Sequence, residues 1–357
     1  MAGAEMLADL VCQLVRIESV NPDLVPGGSG EKAIASFVAS WLSDAGLEVT
    51  MVEAVSGRPS VVGVLRGSGG GRSLMLNAHM DTVGAGGMAD AFTPVVRKGR
   101  VYGRGACDMK GSLAAIMLAA RAARELKLKG DLIVCAVADE EVASIGTSAV
   151  LEEFHADAGI VTEPTELRLC LAHKGFVWLE VETKGVAVHG SRADIGVDAI
   201  AAMGPVLTAV KELSDRLLAG PRHPLLGTGS IHASLIEGGQ EWSTYPARCV
   251  LKIERRTIPG EDVSSEIPGA QIVLERAPSE VTAGHPLARA VSEAAGSPEE
   301  IGVAYWMDMA LMNAAGIPTV CYGPSGEGEH ADVEWVDLAS VERCVDVYIE
   351  VATRICG

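Results

Sequence analysis

The strongest constraint on this chain is a series of short apolar runs that alternate with helix-patterned segments. Residues 61–65, 74–78, 132–138 and 158–161 are almost wholly apolar, as strands buried on both faces are. Around and between them, apolar residues recur at helical spacing over 7–15, 33–42, 112–126 and 149–154. The segment 33–42 runs on to Gly46, a suitable helix C-cap. Strands alternating with helices predict an α/β fold, a mostly parallel sheet with helices on both faces. The glycine-rich stretch 67–71 joins two strands and is followed by neither Lys-Ser/Thr nor a helix, so it reads as a turn rather than a phosphate cradle.

The pattern changes after about His173. Strands are predicted at 176–183, 230–236, 248–255 and 271–274, with one long helix over 196–218 and a Pro/Gly-rich join at 219–229. One long helix among four strands fits a separate α+β unit. Helices return at 287–295, 309–315 and 338–355, with a strand at 319–322. A chain of 357 residues exceeds the roughly 250–300 at which a single core stops growing. The expected organisation is therefore one α/β domain built from 1–173 and 282–357, interrupted by an inserted α+β domain over 174–281.

Composition narrows the function classes. The 29 Lys and Arg against 47 Asp and Glu leave a formal charge of −18, and no basic run offers a face that could neutralise nucleic-acid phosphates. The longest apolar stretches fall far short of the ~20 residues that span a bilayer, so neither a nucleic acid nor a membrane is an expected partner. Glu5 and Asp9 interrupt the first apolar segment, which has no basic leader or small-residue cleavage site, and the expected location is the cytoplasm. The 8 cysteines are scattered without a Cys-x-x-Cys pair. They read as small buried hydrophobes or free thiols, not as a disulfide frame or a thiolate zinc site.

Chemistry-bearing residues follow the predicted strands. His79 and Asp81 end the run at 74–78, Asp139, Glu140 and Glu141 follow 132–138, Glu163 follows 158–161, and His330 lies beyond 319–322, while Asp108 sits in Gly103-Arg-Gly-Ala-Cys-Asp108-Met-Lys-Gly. Ligands of open α/β sheets collect at the carboxyl ends of strands. Histidines and carboxylates without cysteine suit zinc or another divalent ion at a site that keeps a position open for water. Three ligating carboxylates exceed what one tetrahedral zinc needs, so two ions sharing a bridging carboxylate is the natural count. Taken singly, a histidine at a strand end is also a common hydrogen-bonded structural residue, and Glu-Glu a common solvated loop. Spacing alone leaves both readings open.

The order of motifs resembles the zinc aminoacylase and carboxypeptidase family that includes acetylornithine deacetylases, succinyl-diaminopimelate desuccinylases and bacterial glutamate carboxypeptidases. The residues that carry it are His79-Met-Asp81-Thr-Val, the Gly103 to Gly111 segment, Asp139-Glu140-Glu141, Thr162-Glu163-Pro-Thr, Val188-His189-Gly-Ser-Arg, and Gly323-Pro-Ser-Gly-Glu-Gly-Glu-His330. The resemblance runs from about residue 10 to the C-terminus and implies two Zn²⁺, for which Co²⁺ or Mn²⁺ could substitute. His79 and Glu163 would hold one ion, Glu141 and His330 the other, and Asp108 would bridge them through a residue whose following peptide bond, to Met109, is cis. Glu140 falls on the general base, and Asp81 on the carboxylate that orients His79. His189 falls on a residue that stabilises the oxyanion from the partner subunit, which makes the inserted domain a lid or dimerisation domain and implies a homodimer.

The implied reaction is hydrolysis of a small N-acyl amino acid, with a dipeptidase or carboxypeptidase as the alternative, because the metal residues do not distinguish an acyl from an aminoacyl group. Arg256 matches a position that meets the substrate carboxylate, although a solvated strand-end arginine is a reading of similar weight. Where relatives carry Asn before Pro, this chain has Trp242-Ser243-Thr244-Tyr245-Pro246, and Ser243 has no amide for two-sided hydrogen bonding. The acyl pocket is therefore expected to differ. A non-catalytic binding protein of the same fold is a third reading, opposed by the presence of all five ligand positions and Glu140.

Overall fold

The computed structural model describes residues 2–261, 263 and 266–357. By their contacts the residues fall into two compact units. One runs up to Leu171 and takes in Val281–Ile301 and Met307–Gly357, and the other comprises Ala172–Glu280 and Gly302–Trp306. The sequence pattern assigns 302–306 to the first unit, whereas their contacts group them with the second, in which the Lys174 N–H donates to the Val303 carbonyl at 3.1 Å.

The first unit is built on a sheet in the order Glu48–Val52, Ser60–Leu65, Leu132–Val137, Leu74–His79, Ala158–Val161, Thr319–Cys321 and Leu169–His173. Leu132–Val137, Leu74–His79, Ala158–Val161 and Thr319–Cys321 run parallel, and the flanking strands are antiparallel. Every residue of Leu74–His79 and Leu132–Val137 is buried, which is why these sequences read as continuous apolar runs rather than alternating ones. The helices Ala2–Arg16, Gly111–Ala123, Pro286–Ala295 and Leu338–Cys356 pack together on one face, and Lys32–Asp44, Ile145–Glu153 and Met309–Ala314 lie against the other. This is the mostly parallel α/β arrangement that the alternation predicts. A small antiparallel sheet of Val95–Arg97, Arg100–Tyr102, Trp335–Asp337 and Gly326–Glu327 stands beside it.

The second unit is a four-stranded antiparallel sheet in the order Ser230–Gly238, Arg248–Thr257, Gly175–Lys184 and Gln271–Arg276. Along Gly175–Lys184 the side chains alternate: Val177, Leu179 and Val181 are buried, and the residues between them face outward. The buried set packs with Met203, Val210 and Leu213 of the helix Ala199–Ala219. That helix starts where Asp198 accepts the Ala201 N–H at 2.9 Å, an N-cap that satisfies a donor the helix cannot. All 8 cysteines are buried with free thiols. Among the described residues no helix is long and apolar enough to cross a membrane.

Candidate active site

Five chain segments deliver side chains to one place in the first unit. His79 closes the strand Leu74–His79 and is buried. Its Nε2 lies 2.8 Å from Asp108 Oδ1 and 3.7 Å from Glu163 Oε1. His330 Nε2 lies 3.4 Å from the other Asp108 oxygen, Oδ2, and 3.1 Å from Glu141 Oε2. Two ligand sets result: His79, Asp108 and Glu163, and Asp108, Glu141 and His330, each with its donor atoms within 4.8 Å of one another. Asp108 belongs to both, and its two oxygens face different histidines.

Backbone geometry explains how such short sequences reach this point. Asp108 lies in an irregular turn, Ala106–Lys110, and the Asp108–Met109 peptide is cis. The turn begins at Gly105, whose φ of +77° favours glycine and where a Cβ would stand 2.7 Å from Thr82 Cγ2. Glu163 follows the strand Ala158–Val161 and is backed by Gly323, where a Cβ would meet the Glu163 carbonyl oxygen at 2.1 Å. His330 itself adopts φ +61°, as does Asp139 at +67°, a conformation non-glycine residues keep only where their surroundings hold them. For Asp139 those surroundings are visible: its Oδ1 accepts Asn21 Nδ2 and Arg58 Nη2, each at 2.9 Å.

Asp81 plays a wider part than its sequence position suggests. His79 Nδ1 lies 2.9 Å from the backbone oxygen of Asp81, nearer than the 3.5 Å to its carboxylate. The carboxylate instead accepts the N–H of Glu140 at 3.1 Å, the N–H of Glu141 at 3.2 Å and Asn21 Nδ2 at 2.8 Å. Asp81 thus fixes the histidine tautomer through its main chain and the Glu140–Glu141 turn through its side chain.

The electrostatics of the cluster suit a bound cation. Burial, reinforced by neighbouring carboxylates, pushes Glu140 and Glu163 well above the usual carboxyl range and raises Glu141. Burial also works against ionised Asp108, but hydrogen bonds with His330 and His79 hold it low. Hydrogen bonds to Asp108 and Glu141 raise His330 to about 10. So many carboxylates cannot all ionise in a dry site without cations between them. Glu141 Oε1, buried and without a hydrogen-bond partner, is an acceptor that a cation would satisfy. Histidine and carboxylate donors with no thiolate suit a catalytic divalent ion.

Three predicted site residues lie in the second unit. The exposed His189 accepts the Ser191 backbone N–H at Nδ1, 3.2 Å away, and Ser191 Oγ lies 2.8 Å from the same atom. A nitrogen that accepts an N–H carries no proton of its own, so neutral His189 is protonated at Nε2, which can donate. Ser243 is exposed, and its carbonyl accepts the Gly190 N–H at 2.6 Å beside the His189–Thr244 bridge. Arg256 is engaged internally: its Nε donates to Glu254 Oε1 at 2.8 Å, and its guanidinium stands 5.2 Å from the Phe176 ring centre. Asn21, Asp308 and Glu334 are buried polar residues near the cluster that the sequence reading does not single out. Each stands alone in sequence, and only tertiary pairing reveals it.

Comparison with known proteins agrees with this geometry. The sequence profile of the peptidase family M20/M25/M40 matches residues 75–354. A protein of Myxococcus xanthus named acetylornithine deacetylase is 30% identical over 382 aligned positions, 98% of this chain and 97% of the relative. Among solved structures, a tripeptidase from Staphylococcus aureus superposes with a TM-score of 0.80 at 19% identity, covering 99% of this chain and 98% of the other. A dinuclear metal binding peptidase of the M20 family from Bacillus subtilis gives 0.74 at 16% identity, with 99% of each chain covered. The structural likenesses establish the fold.

Proposed function

Because this chain belongs to peptidase family M20/M25/M40 and is a metal-dependent amidohydrolase, we propose that it hydrolyses the amide bond of a small N-acyl amino acid. His79 and Glu163 would hold one zinc ion, Glu141 and His330 a second, and Asp108 would bridge them. The observation that carries this reading is that Asp108 turns one oxygen to each histidine. Bound zinc ions supply Lewis acidity, lowering the pKa of water and polarising the substrate carbonyl.

The chain's own residues do the proton work. Glu140 takes a proton from the attacking water and hands it to the leaving nitrogen as the C–N bond breaks. His189 of the partner subunit would donate its Nε2–H to the carbonyl oxygen as that atom gains negative charge. His189→Ala is expected to lower kcat by about 10²- to 10³-fold, the cost of removing one oxyanion donor, with KM little changed. Steady-state kinetics test this, and an unchanged kcat removes His189 from the mechanism.

Specificity rests on the second unit. A substrate carboxylate reaching Arg256 would exchange the Glu254 pairing for its own, and Ser243 and the exposed Trp242 would shape the acyl side. Homodimerisation is proposed through the same unit. Its edge strand Ser230–Gly238 exposes Leu235 and Ile236, and the neighbouring helix exposes Ile200 and Leu207, a combination that unprotected monomers avoid. The eight free thiols fit a reducing compartment, and we place the enzyme in the cytoplasm. The deciding assay offers N-acetyl, N-succinyl and longer N-acyl amino acids beside dipeptides. Turnover of the acyl compounds is the expected result, and turnover of dipeptides alone would replace the deacylase reading by a peptidase.

A further inference from the structure

We propose that Glu334, paired with Arg104, is the positioning residue that holds Asp108 in place between the two metal positions; this rests on the metal-site reading above. Glu334 and Arg104 are each only 1% exposed. Glu334 Oε1 accepts the N–H of Cys107 at 2.8 Å and of Asp108 at 3.1 Å. Its Oε2 accepts the Gly105 N–H at 2.9 Å and Arg104 Nη1 at 2.8 Å. The other two nitrogens of the Arg104 guanidinium donate to main-chain oxygens, Nη2 to Ala331 at 2.8 Å and Nε to Gly84 at 3.0 Å. One buried ion pair therefore ties the turn that carries Asp108 to the residue that follows His330.

The chemistry explains why a carboxylate stands there. The turn at Gly105–Asp108 is irregular and offers three N–H groups, two of them buried and that of Asp108 partly so, each of which needs an acceptor. An ionised carboxylate has lone pairs enough for all three and for a guanidinium, and charge assistance makes these bonds short and strong. Asp108 is thereby anchored by its main chain while each side-chain oxygen faces a different histidine. Both ligand sets depend on that one residue, so a small rotation of the turn disturbs both. Glutamine keeps the shape of Glu334 but turns one acceptor into a donor that faces N–H groups.

The test measures Zn²⁺ affinity of metal-stripped protein by chelator competition, together with the visible spectrum of Co²⁺-loaded protein and the thermal stability of the metal-free form. Glu334→Gln is expected to weaken metal affinity by ~10- to 100-fold, the usual cost of losing a partner behind the ligands, and to alter the Co²⁺ spectrum. Arg104→Lys keeps the charge but loses the fork, and is expected to weaken the set containing His330 more than the set containing His79. A merely structural role lowers metal-free stability and leaves affinity and spectrum as in wild type; that result overturns the proposal. If Glu334→Gln does not fold, Arg104→Lys decides: equal weakening of both sets, or none, overturns it. Failure of both variants to fold also overturns it, by assigning the pair to folding. Wild-type protein that binds no metal instead removes the metal-site reading itself.

Discussion

Asp108→Ala is expected to abolish turnover and to remove metal from both positions at once. Asp108 is the residue common to the two ligand sets, and its oxygens stand 2.8 Å from His79 and 3.4 Å from His330. Its loss leaves each set one histidine and one glutamate, too few donors to hold an ion against water. Burial raises Glu140 and Glu163, and without cations beside them these carboxylates would hold protons more readily. Elemental analysis of purified protein checks this, with metal content near zero as the expected value. One ion retained per chain would show that Asp108 serves a single position.

Glu140→Gln separates chemistry from binding. Glutamine cannot accept the proton, and kcat is expected to fall by about 10²- to 10⁴-fold, the contribution of a positioned general base. Glu140 belongs to neither ligand set, so metal content should stay at the wild-type level. Its N–H remains bonded to Asp81 Oδ1 in the variant, as it is at 3.1 Å in the native chain, so the turn should keep its form. Substantial remaining activity in a fully loaded variant would move the base elsewhere in the cluster.

The contrast between these two variants reflects what was legible in the residues themselves. Leu74–His79 and Leu132–Val137 are buried along their whole length, and that burial writes an apolar run into the sequence. Glu48–Val52 is buried only at Val52, and Arg100–Tyr102 and Trp335–Asp337 are three residues long. Strands so exposed or so short carry no period, and no pattern announces them. Leu169–His173 is fully buried, yet the chain passes from one unit to the other within it, and its five residues blur into the change of pattern near His173.

The site divides along the same line. His79, Asp108, Glu141, Glu163 and His330 are visible as metal-type residues at the ends of apolar runs, but spacing cannot say which histidine shares which carboxylate. That pairing rests on the resemblance; in the structure His79 lies beside Asp108 and Glu163, and His330 beside Asp108 and Glu141. Asn21, Arg58 and Glu334 had no signal, because each works through hydrogen bonds to segments tens to hundreds of residues away. Even Asp81 was only half legible: its sequence position names a partner for His79, whereas its carboxylate is spent chiefly on the turn that holds Glu140 and Glu141.

Titrating metal-stripped protein with Zn²⁺ while following hydrolysis of an N-acyl amino acid tests the two-ion deacylase most directly. Activity should climb to a plateau at two equivalents per chain. A plateau at one equivalent, or no hydrolysis at any loading, would contradict it.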